Sequence, residues 1–121
     1  MRTITALAAL LSLFLASASV PAQPRTLSGS EVTSWISDAT LSGATSSGRE
    51  WRGHYKPDGT YRLEVLGTSW TDEGTWTVES DTLCTERTKR GRQCVSVSHT
   101  GGAEYSLIDD RRQTEKVRKI P

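Results

Sequence analysis

The sequence predicts a mainly β fold: a small antiparallel up-and-down barrel or coiled sheet of about seven strands, with a short N-terminal helix and one disulfide. Three observations carry this reading. From Ala39 onward apolar and polar residues alternate with period two. Gly, Pro, Asp and Ser punctuate that alternation every eight to twelve residues. Seven or so sequential strands in one small domain can hide their edges by closing on themselves.

Residues 1–22 set the compartment. Arg2 supplies a positive start, Ile4 to Leu15 an apolar run, and Val20-Pro21-Ala22 a small-residue cleavage site, so the segment reads as a secretory signal peptide. Residues 23–121 then form a single β-rich domain, expected to be periplasmic or secreted. A domain of this size buries only about 65% of its unfolded surface, so a covalent staple helps it. Cys84 and Cys94 are the chain's two cysteines, and in an oxidising compartment an even pair at short spacing reads as a disulfide. The C-x-x-C spacing of a redox or metal motif is absent, and neither cysteine has a nearby histidine. No metal or cofactor is expected. No segment after the leader reaches the roughly 20 apolar residues of a membrane helix, so no membrane span is expected.

Each element has its own signal. Ser28 stands three residues before Glu31, with Leu27 before and Val32 after, which forms a capping box with a hydrophobic staple. A helix over Gly29–Ile36 follows, presenting Val32, Trp35 and Ile36 on one face as a plug against the sheet. A weak strand surrounds Leu41. In the next hairpin, Trp51 and Tyr55 share a face with Tyr61 and Val65 only if Tyr55 opposes Tyr61 and Trp51 opposes Val65. That register leaves Pro57-Asp58-Gly59 as the loop, with Gly59 supplying a left-handed residue. A two-residue loop at Ser80-Asp81 sets Val78 opposite Leu83. Pairing Cys84 with Cys94 sets Leu83 opposite Val95 and places both sulfurs on the outer face, where the bridge contributes at most about 3 kcal/mol. Strands around Tyr105 to Leu107 and around Val117 complete the set, with a turn at Asp109-Asp110.

The run Leu27-Ser28-Gly29-Ser30-Glu31, Trp51 ahead of Tyr55, Pro57-Asp58-Gly59-Thr60, Gly74-Thr75-Trp76, Leu83-Cys84 and Cys94 resembles small exported alphaproteobacterial proteins of the DUF995-like family. The resemblance spans almost all of residues 23–121. It implies a periplasmic, β-rich domain of unknown function and brings no catalytic residue with it. The chain departs from the family pattern in the basic loop between its cysteines and in Ser80-Asp81, where a glycine-containing turn is usual.

Enzymatic chemistry finds little footing. A Ser-His-Asp site needs a histidine, and the chain has two. His54 faces away from Trp51 and Tyr55, and His99 precedes a Gly-rich turn. Asp72-Glu73 and Asp109-Asp110 are adjacent acids where turns are expected. The protein is therefore expected not to be an enzyme. Without Arg2, the 15 basic residues fall to 14 and match the 14 acidic ones, so no nucleic-acid partner is expected. Two features remain for recognition. Trp70 lies in a loop, where a large aromatic is exposed for contact, and Arg87, Lys89, Arg90 and Arg92 crowd the loop between the cysteines. The leading expectation is a binding or interaction module, inhibitor-like or accessory to another envelope protein, using these five residues. The alternative is a carrier of a small apolar ligand in the barrel interior, lined by Trp51, Trp70 and Trp76 with Tyr55, Tyr61 and Tyr105 unless these rings fill it. An unrecognised hydrolase ranks third and requires a pocket holding a strongly perturbed carboxylate or histidine.

Overall fold

A computed structural model describes residues 23–121; the signal-peptide reading falls on residues outside that range. After the two-residue strand β1 (Arg25–Thr26) comes α1 (Gly29–Ile36). Eight strands follow: β2 (Ala39–Ala44), β3 (Glu50–Tyr55), β4 (Thr60–Val65), β5 (Thr71–Glu79), β6 (Thr82–Arg87), β7 (Gly91–Gly101), β8 (Glu104–Ile108) and β9 (Thr114–Ile120). Each pairs antiparallel with the next, and β2 pairs with β9 through Thr40↔Ile120 and Ser42↔Arg118, so the sheet closes. The molecule is an eight-stranded up-and-down barrel, with β1 added beside β7 through Thr26↔Ser98. None of its helices among the described residues is long and apolar enough to cross a membrane.

The expected registers are those observed. Trp51 opposes Val65, Tyr55 opposes Tyr61, Val78 opposes Leu83, and Cys84 opposes Cys94 beside Leu83↔Val95. The cysteine sulfurs lie at bonding distance, 2.12 Å, on the face of β6 and β7 opposite the apolar residues. Gly59 has φ of +87° and closes its loop by accepting from the Trp76 amide and donating to Lys56 O. Two differences enlarge the expected strand set. The strand β1 is too short to leave a periodic signal. The strand β5 begins at Thr71, so Asp72 and Glu73 are strand residues and not a turn pair.

One end of the barrel is sealed by α1. Ser28 accepts from the Glu31 amide while Glu31 accepts from the Ser28 amide, completing the capping box. Val32 and Ile36 are wholly buried, and Trp35 nearly so. Three tethers hold the plug. Leu27 N donates to Val97 O at 2.8 Å, Gly29 N donates to Asp81 Oδ1 at 2.6 Å, and Lys119 Nζ donates to Trp35 O at 2.9 Å. The second tether explains Ser80-Asp81. Both residues are left-handed, φ 46° and 63°, as a two-residue hairpin turn requires, and aspartate tolerates that conformation while placing a carboxylate on the amides of a helix N-terminus.

Candidate functional site

In an up-and-down barrel alternate connections share an end. Loops 45–49, 66–70, 88–90 and 109–113 therefore gather opposite α1, where they surround a cleft of about 570 Å³ that descends into the barrel. Its walls are apolar at depth, with Leu63, Leu83, Val95 and Leu107, and become polar toward the rim at Arg87, Arg90, Gln93 and Glu115. Below it the core closes. Tyr55 and Tyr61 pack with ring centroids 4.5 Å apart, and Trp76 packs edge-on against Tyr55 while donating to Lys56 O at 2.8 Å. Burial raises the hydroxyl pKa values of both tyrosines, that of Tyr55 well above its ordinary value. The aromatics thus divide: Trp76 fills the barrel, Tyr55 and Tyr61 form the bottom of the cleft, and Trp51 and Trp70 face its upper part.

Trp51 owes its position to a small neighbour. Gly43 lies opposite it across β2 and β3, and a Cβ at Gly43 would meet the Trp51 indole at 2.5 Å. The ring lies across the barrel wall in the space a side chain would occupy. Its Nε1 donates to Glu115 Oε1 at 2.9 Å, joining β3 to β9 across the mouth. Although Glu115 as a residue is exposed, its carboxyl sits in the cleft. Desolvation there raises its pKa, opposed by the Trp51 hydrogen bond and by the charges of Arg87 and Arg90.

The structure brings four of the five predicted contact residues together. Trp70 is the exposed large apolar side chain among the described residues, at 37%, yet its loop is fixed by Thr68 Oγ1, which donates to Val65 O and accepts from the Trp70 amide. The Arg87 guanidinium lies 5.7 Å from the Trp70 ring centroid and Lys89 Nζ 5.1 Å from it, within cation–π range. Arg90 lines the cleft beside them. Arg92 is elsewhere. It points to the outer face of β7 and pairs with Glu79.

Sequence reasoning missed what holds the basic loop down. Asp72, taken for a turn acid, is 3% exposed. Its Oδ2 accepts from Arg87 Nε at 3.1 Å, and its Oδ1 accepts from the amides of Glu73 and Lys89. Burial pushes the Asp72 carboxyl up, but these donors outweigh it and hold the pKa below the ordinary value. Thr88 adds two bonds to Glu73 O, each of 3.0 Å, from its amide and its hydroxyl. The loop, though exposed, is docked on β5. Glu115 was also missed, as one acid in a basic tail.

Both histidines lie away from the mouth. His54 meets Asp38 at 3.3 Å on the outer face, and His99 stacks on Tyr105 at the plugged end. Glu79 gathers with Cys84 and Cys94, but the sulfurs are bonded to each other and Glu79 is taken by Arg92, leaving no ligand set for a metal. No protein family, curated protein or solved structure matches this chain in comparisons with known proteins.

Proposed function

We propose that the protein is an exported binder of small molecules that holds its ligand in the open end of the barrel. The observation that carries the reading is the cleft of about 570 Å³, which falls within the roughly 300–1,000 Å³ range of small-molecule sites. Apolar walls at depth and a few convergent polar groups at the rim are the chemistry such a site uses, the first for affinity and the second for orientation. Trp70, Arg87 and Arg90 border this cleft, so the residues expected to contact another envelope protein serve here as its lip. A hydrolytic reading finds no histidine beside Glu115 among the described residues, since both sit elsewhere.

The test is a titration with phenylnaphthylamine, a neutral probe that fluoresces in apolar surroundings. Saturable binding at one site is expected, with loss of binding in Thr85→Trp, which fills the cleft from its wall. Absence of binding to the native protein, or unchanged binding in Thr85→Trp, overturns the reading.

A further inference from the structure

The two ends of the barrel carry opposite charge. Loops at the open end hold Arg49, Lys89, Arg90, Arg111 and Arg112 against Asp109 and Asp110, whereas loops at the plugged end hold Lys56 against Asp38, Asp58 and Asp81. An end that carries an excess of one sign of charge draws in ligands of the other sign.

The acids in the cleft and beside it are already engaged. Asp72 is occupied by Arg87 Nε and two amides. Asp109 Oδ1 accepts from the amides of Arg111 and Gln113, which holds the carboxylate in its own turn. Glu115 is held by Trp51 through one oxygen. The cations are not equally engaged. Arg90 forms no ion pair among the described residues. Arg87 is bound to Asp72 through Nε, and its guanidinium, on a side chain 12% exposed, stands at the cleft wall. Guanidinium groups present several donors in a planar fork suited to carboxylates and their analogues.

We infer that the ligand is a small organic acid, its anionic head held by Arg90 and Arg87 at the rim and its apolar body lying against Leu63, Leu83, Val95 and Leu107. This inference rests on the small-molecule reading above and adds the charge and orientation of the occupant. Trp70 flanks the head group, kept in place by Arg87 and Lys89. Arg87 serves two tasks, since it also neutralises buried Asp72, so the variant that isolates head-group recognition is Arg90→Gln.

The experiment displaces phenylnaphthylamine with naphthoate and with naphthamide, which share a ring system and differ in charge. Naphthoate is expected to bind about tenfold more tightly than naphthamide, as a charge-assisted hydrogen bond implies. Arg90→Gln is expected to remove most of that difference by weakening naphthoate far more than naphthamide, with an unchanged urea midpoint showing that the variant is folded. Equal binding of the two compounds by the native protein, or an undiminished preference in Arg90→Gln, overturns the anionic assignment and leaves the cleft reading standing. Failure of phenylnaphthylamine itself to bind overturns both.

Discussion

The plugged and open ends of this barrel are built from the same alternating strands, yet they spend their residues differently. At the plugged end α1 buries Val32, Trp35 and Ile36, and Asp81 and Lys119 tie the helix to the barrel. At the open end the buried polar group is Asp72, which anchors a loop, while Trp70 and Arg90 remain available. One end converts side chains into stability; the other uses stability to hold side chains still. Preorganised groups at a site lower the entropy lost on binding, and the open end is arranged accordingly.

Substitutions separate the two roles. Ile36→Ala, at a wholly buried plug position, is expected to cost about 2–5 kcal/mol, read from urea unfolding, with no change in cleft chemistry. A loss below the lower figure would mean the helix merely rests on the barrel. Replacing Cys84 and Cys94 together by serine is expected to cost at most about 3 kcal/mol for a loop of this length. It should also weaken naphthoate binding, because the bridge clamps the hairpin that carries Arg87 to Arg90. Trp70→Ala should reverse the pattern, with stability within about 0.5 kcal/mol of native and binding of naphthoate weaker by about threefold. A stability loss larger than the binding loss would place Trp70 with the plug residues.

Acidity offers the finest contrast, because Glu31 at the plugged end and Glu115 at the open end are shifted in opposite directions. Glu31 is lowered from 4.5 to about 2, first by its hydrogen bond from Arg25 and then by the Ser28 amide. A depressed acid stabilises the fold above its ordinary pKa and loses that contribution as pH falls toward about 2. Glu115 is raised, so the folded protein holds its proton more tightly than the unfolded chain. Its effect is favourable below the ordinary value and is lost as pH rises through the raised one. Facing it are Arg87 and Arg90 from the β6–β7 hairpin, Tyr55 and Tyr61 from β3 and β4, and Asp109 just after β8. Protonating Glu115 removes an anion from beside the proposed head group. Affinity for naphthalenesulfonate, which stays charged in acid, should therefore rise a few-fold as pH falls through that window, and Glu115→Gln should flatten the profile. A profile unchanged in Glu115→Gln would remove this carboxyl from the site.

Much of the barrel could be read from the chain because its signals are local. Alternation assigns faces, and Pro57-Asp58-Gly59 and Ser80-Asp81 fix loop lengths, so one turn sets the register of a whole hairpin. Trp70 and the basic loop could be singled out by composition. Their meeting could not, since it depends on β4–β5 and β6–β7 being alternate connections that share an end. Asp72 was misread for a related reason. Its burial is stabilised by Arg87, fifteen residues away, and an acid beside another acid carries no local sign of such a partner. Glu115 resembles its charged neighbours until closure of the barrel sets it against Trp51. A strand glycine such as Gly43 was the available clue, because a missing side chain within a sheet marks a place where an aromatic ring can lie.

Closure through β2 and β9 also bears on how the fold is reached. Every other pairing between barrel strands joins neighbours along the chain, so the hairpins can form one after another at low contact order. The seam alone spans the domain, and it cannot zip until Thr114–Ile120 are present. Until then the hairpins form a ribbon with two bare edges, open to mispairing with other chains. The seven residues of β9 thus set how long the unfinished molecule stays exposed to aggregation.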